Sequence, residues 1–164
     1  MLFWFAHYDL YTPKWSKHIF DEWDDVMKRN GIIEEERSKR ISIVNEAFPD
    51  AMVQNYEPLV KMLDLPDEKD NHVLAAAIKI NANLIVTNNL KDFPSDYLTS
   101  FSLSAKSADD FLTDIIDLNH EASIKAFKDL VLQKKNPPYD KYEVLNILRR
   151  NSLKDTADYL HALL

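Results

Sequence analysis

Only one residue in the chain of 164 is glycine, Gly31. Average usage would give about eleven. Loops that cradle phosphates need several glycines, because a backbone without Cβ is what approaches a pyrophosphate closely. A P-loop and a glycine-rich dinucleotide fingerprint are therefore excluded. The chain also has no cysteine, which removes disulfides, thiolate catalysis and Cys-based zinc or iron–sulfur centres.

What remains is an ordinary globular composition. Apolar residues are 46% and charged residues 29%, enough to build a core and too apolar for wholesale disorder. The length fits one domain. A net charge of −7 rules out a basic field over the whole surface. It is compatible with a metal site made of carboxylates, which would itself push the charge negative. No apolar run approaches the roughly 18 residues of a membrane span. The apolar start Met1–Ala6 is too short for a signal peptide and lacks its basic region. A soluble, cytoplasmic protein is expected.

Helical and strand patterns alternate. Residues 1–8 read as a helix. Ser16 caps a helix running to about Asn30, with Ile19, Trp23, Val26 and Met27 at helical spacing. Gly31 follows it, where a left-handed residue closes a helix. Residues 34–48 form a second amphipathic helix, residues 57–63 a short one, and residues 72–81 an alanine-rich one. Strands are expected at 51–53, 83–87 and 101–104. Ser107 opens a helix that breaks near Asn119 and continues to Lys135. Asn136-Pro137-Pro138 is the clearest punctuation, and two short helices at 140–150 and 152–164 follow. Such alternation implies an α/β fold with a parallel sheet covered on both faces, although three strands are few.

The five histidines show no ligand-like pairing, and only His72, beside Asp70, stands out. The acids are more informative. Active sites of open α/β sheets gather at the carboxyl ends of strands. Asp92 follows the 83–87 strand, Asp70 opens the helix before it, and Glu22 lies mid-helix beside Trp23. Together they would suit Mg²⁺ or Mn²⁺, which favour oxygen ligands. Singly, each has a plainer role. Asp70 can cap its helix, Asp92 can close an Asx turn, and Glu22 can be a solvated helix residue.

The run from Leu65 to Ile78, containing Pro66-Asp67-Glu68-Lys69-Asp70-Asn71-His72-Val73-Leu74-Ala75-Ala76-Ala77, and the run Ala82 to Pro94, containing Ile85-Val86-Thr87-Asn88-Asn89-Leu90-Lys91-Asp92-Phe93, closely resemble the PIN-domain family. The nearest group is the bacterial PIN proteins related to VapC toxins. The segment Trp15–Trp23 resembles that group's early helix, and the double-proline segment with Leu153–Ala157 resembles its C-terminal extension.

The resemblance implies a three-layer α/β/α fold with a short parallel sheet, residues 1–135 forming the PIN-like domain and 136–164 the helical extension. It implies a Mg²⁺- or Mn²⁺-dependent endoribonuclease, the toxin of a toxin–antitoxin pair, with RNA as substrate, an antitoxin as partner, and a homodimer as assembly. The family's acidic positions fall on Glu22, Asp70 and Asp92. Thr87 matches the residue closing the strand. Asn89 stands where many relatives carry another acid, and Asn71 where close relatives carry an arginine that would touch phosphate. Family members begin with a strand bearing an aspartate, and no residue before Glu22 takes that place, since Asp9 follows an apolar helix. The sheet is thus expected to lack its first strand and the pocket one ligand, which would impair catalysis. The competing expectation is a catalytically inactive PIN-fold binding protein that needs a partner.

Overall fold

The computed structural model describes residues 1–135 and 138–164. Asn136 and Pro137 of the proline punctuation lie outside the described residues; Pro138 forms a backbone bridge with Lys135. The chain divides into two compact units. One comprises Met1–Thr12, Val86–Asn88 and Lys106–Leu164, and the other Pro13–Ile85 and Asn89–Ala105.

The second unit begins with strand β1 (Trp15–Ser16), then helices α2 (Lys17–Arg29) and α3 (Glu34–Ala47), strand β2 (Met52–Val53) and helix α4 (Glu57–Val60); α1 is the helix Leu2–His7 of the first unit. A 3₁₀ turn (Glu68–Asp70) leads into α5 (Asn71–Lys79), and strand β3 (Leu84–Val86), a second 3₁₀ turn (Leu90–Asp92), α6 (Ser95–Thr99) and strand β4 (Ser104–Lys106) follow. β1 and β2 pair in parallel, Trp15 opposite Met52 and Ser16 opposite Val53. β3 neighbours β4, with the Asn83 carbonyl accepting from Ser104 N–H and Thr87 N–H donating to the Lys106 carbonyl. The result is a PIN-like α/β fold whose strand content is short pairs.

Each element has a local cause. The Ser16 hydroxyl accepts from Ile19 N–H and caps α2 as its sequence requires. That same residue belongs to β1, which residue patterning did not reveal. Gly31 closes α2 at φ 77°. At the end of α5 the left-handed position is taken by Asn81, at φ 52°, the other residue type that tolerates it. In a chain with a single glycine, such positions pass to Asp, Asn and Ser.

One expected strand is displaced. Residues 101–102 form a turn, with Ser102 at φ 57°, and pairing starts only at Ser104. Leu103 is buried with Phe93 and Leu98, and Phe101 packs against them. Their apolar character reflects core packing, not a strand ladder. α5 is buried along most of its length through Leu74, Ala75 and Ala76. Burying a leucine fully contributes roughly 1.5–3 kcal/mol, so this helix is a firm base for whatever its first turn carries.

In the first unit, helices α7 (Ala108–Leu118), α8 (His120–Leu132), α9 (Lys141–Arg150) and α10 (Lys154–Leu163) surround the fully buried Leu112, Ile116, Phe127, Leu145 and Leu160. Ser107 caps α7 and Asn119 both ends α7 and caps α8, the expected break. Asp140 and Glu143 form a reciprocal capping box on α9.

The Asp109 carboxylate pins the start of α10. It accepts from Asp155 N–H at 2.9 Å, Thr156 N–H at 2.8 Å and the Thr156 hydroxyl at 2.6 Å. Burial works to raise its pKa, but these bonds together with Lys154 N–H outweigh it and hold the carboxyl below its usual range. A depressed native pKa contributes stability above the unfolded carboxylate pKa, and that stability is lost as pH falls through the native value. Asp109→Ala is therefore expected to cost about 1 kcal/mol, the usual loss on removing a helix cap. The loss shrinks in acid, and hydrogen exchange of the α10 amides measures it.

Candidate metal centre

Asp67 begins the turn before α5. Its Oδ1 accepts from Lys69 N–H at 3.0 Å. Asp70 ends that turn, at the position that caps α5, yet its side chain makes no capping hydrogen bond. The capping role is thus excluded, and the carboxylate is left for other work. Asp92 ends the 3₁₀ turn after β3. Asn89 joins the two, its Nδ2 donating to Asp92 Oδ2 at 2.5 Å and to Asp70 Oδ2 at 3.2 Å. One oxygen each of Asp67, Asp70 and Asp92 lies within 4.8 Å of the others.

Carboxylates this close destabilise one another's charge. Asp70 is pushed above the usual carboxylate range, first by burial and then by Asp67, Asp92 and Glu22, with His72 acting the opposite way. Exposed Lys91, its Nζ 3.9 Å from Asp92 Oδ2, is a nearby cation. A set of oxygen-only donors carrying surplus negative charge fits a hard divalent ion.

Glu22 is not among these three. It sits half-exposed on α2, and its Oε1 lies 3.3 Å from His72 Nε2 and 3.8 Å from His18 Nε2. The rings of His18 and His72 stack with centroids 3.7 Å apart and planes 5° from parallel. His72 is buried, at 3% exposure. That burial, and next the neighbouring His18, push its pKa below the ordinary imidazole value, although Glu22 and Asp70 oppose the shift. Glu22 reaches the aspartates through its charge on Asp70.

Of the residues expected from sequence, Asp70, Asp92 and Asn89 come together, with Glu22 beside them on its histidine. Thr87 belongs to the other compact unit. Asn71 is not a phosphate contact. It is 5% exposed, and its amide accepts from Leu65 N–H at 3.1 Å and donates to the Leu63 carbonyl at 2.9 Å. Asp67 was hidden as a turn residue, and only its i, i+3 spacing from Asp70 signals a shared face. The His18–His72 stack had no signal in spacing.

Residues 8–91 match the family model of the PIN domain, and residues 108–162 that of the VapC50 C-terminal domain. Over 80 residues the chain is 42% identical to a Mycobacterium tuberculosis protein named "Putative ribonuclease VapC50". The aligned stretch covers 49% of this chain and 47% of that relative, so the chain spans about half the length of the curated relative it matches. No solved structure matches it significantly. With the PIN model covering more than half its residues, the chain belongs to the PIN-domain family.

Proposed function

We propose that the chain is an endoribonuclease dependent on Mg²⁺ or Mn²⁺, the toxin of a toxin–antitoxin pair, with Asp70, Asp92 and Glu22 as its metal-holding acids. Residues 1–135 form the PIN-like body and 136–164 its helical extension. The observation that carries this reading is the convergence of Asp67, Asp70 and Asp92 within 4.8 Å, with the Asp70 carboxyl pushed up by its neighbours. A divalent ion held by these carboxylates would supply an acidified water and charge stabilisation at a phosphodiester. The chain's own residues supply the frame. Asn89 ties Asp70 to Asp92 as a neutral amide, where another carboxylate would add repulsion. Thr87 closes β3 through its N–H to Lys106. RNA is the substrate, and an antitoxin and a second copy are the protein partners. A cytoplasmic site of action follows from that substrate; no helix among the described residues is long and apolar enough to cross a membrane.

RNA cleavage by the chain with Mg²⁺ or Mn²⁺, and with EDTA, tests this. Cutting that EDTA abolishes is the expected result. A folded chain that binds RNA without cutting it in either metal favours the inactive binding protein.

A further inference from the structure

Glu22 presents a problem that the aspartates do not. It projects from α2 with half its side chain in solvent, and a long carboxylate there has several rotamers open to it. An acid in a metal site is useful only when its oxygen is held toward the ion. We infer that His72 is a positioning residue for Glu22: its imidazole donates the Nε2 proton to Glu22 Oε1, 3.3 Å away, and His18, stacked flat against that ring, keeps it in place. The inference rests on Glu22 serving the proposed cation site.

The tautomer follows from the surroundings. His72 Nδ1 is buried with no hydrogen-bond partner. A proton there would be an orphaned buried donor and would turn the Nε2 lone pair toward a carboxylate. A proton on Nε2 meets an acceptor and leaves only a bare lone pair inside. A plain core histidine would account for the burial but not for Nε2 directed at a carboxylate.

A second metal site on His18, Glu22 and His72 is the other arrangement these groups suggest, since their ligand atoms lie within 4.8 Å of one another. The rings argue against it. Imidazole binds a metal in its own plane, and planes 5° from parallel with centroids 3.7 Å apart cannot share one ion. Coordination through Nε2 would also force the proton onto the orphaned Nδ1. The pair therefore serves as an outer support, a type of contact whose loss typically lowers metal affinity 10–100-fold.

The test is Mn²⁺ affinity by EPR titration on the full chain, compared among wild type, His72→Leu, His72→Gln, His18→Ala and Asp70→Asn, with ¹⁵N shifts of the His72 ring in the wild type. The expected result is a loss of about 10–100-fold in His72→Leu. His72→Gln, whose amide can donate to Glu22, recovers most of it, and the surface variant His18→Ala shows a smaller loss of the same sign. The ¹⁵N shifts place the proton on Nε2. Wild-type affinity in His72→Leu, beside lost affinity in Asp70→Asn, overturns the role of His72 and leaves the cation site standing. Wild-type affinity in Asp70→Asn overturns the cation site and this inference with it. A proton on Nδ1, or a metal-bound Nε2, overturns the inference even where the His72 variants fail to fold.

Discussion

Asp70→Asn is expected to abolish metal-dependent cleavage and, at the same time, to raise the melting temperature of the metal-free protein. The two effects share a cause. Burial and the charges of Asp67, Asp92 and Glu22 raise the Asp70 pKa in the native state. A native pKa above the unfolded value means that the folded chain holds the proton more tightly. Stability from this group is therefore present at low pH and is lost as pH rises through the native pKa. At neutral pH the ionised Asp70 is a cost, and asparagine removes it while still offering Asn89 an acceptor. The gain in melting temperature should shrink as the pH is lowered. Losing a direct carboxylate ligand should reduce cleavage by more than about 100-fold, since even outer-shell losses reach 10–100-fold. Thermal scans at neutral and acid pH, alongside cleavage assays in Mn²⁺, check both halves. A variant that cleaves normally removes Asp70 from the site; one that melts lower removes the electrostatic explanation.

The second large effect is on stability. Asn71 holds the stretch before the site by donating a part-buried hydrogen bond to the Leu63 carbonyl and accepting a buried one from Leu65 N–H. Asn71→Leu fits an apolar side chain into a buried position but strands the Leu65 N–H and the Leu63 carbonyl. An unsatisfied buried group costs about 1–3 kcal/mol, and the Leu65 N–H is the buried one of the two, so a loss of about 1–3 kcal/mol is expected. In urea this appears as a lower midpoint with an unchanged slope. Asn71→Asp should restore little, because it keeps the acceptor for Leu65 but loses the donor to Leu63 and buries a charge. An Asn71→Leu midpoint equal to the wild type would show that the two backbone groups find other partners.

The contrast between neighbouring residues explains what the sequence could and could not tell. Asp70 and Asp92 were legible because a helix start and the end of one strand bring them together over a short stretch of chain, and Asn89 only through the family resemblance. Asp67 was hidden because Pro66-Asp67 reads as turn punctuation, and it does serve its turn through Lys69 N–H while also facing Asp70. Asn71 stands where close relatives carry an arginine expected to touch phosphate, whereas burial and two backbone bonds give it a structural role here. Tertiary context decided that, and no local pattern carries it. The Glu22–His72–His18 arrangement joins α2 to α5, helices far apart in sequence, through contacts that have no spacing rule.

The fold shows the same division. Caps were legible at Ser16 and Ser107, which each stand at a helix start and accept a backbone N–H there, and Asn119, legible only as a break, proves to cap α8. The short strands were not. β1 is two residues long, too short for any alternation, and one of them is also a cap. At 101–104 the apolar residues Phe101 and Leu103 mimicked strand alternation while serving a core cluster. The PIN-like α/β class survived these errors because it depends on the order of helices and strands and not on their ends.

The measurement that bears most directly on the metal centre is paramagnetic broadening of amide signals by substoichiometric Mn²⁺ on the intact chain. The site proposed on Asp70, Asp92 and Glu22, with Asp67 beside them, should broaden the amides of those residues and the Asn89 side-chain amide first. Excess Mg²⁺ should restore the signals. Broadening centred on other acids, or spread evenly over the surface at the same Mn²⁺ concentration, would contradict a metal centre at these residues.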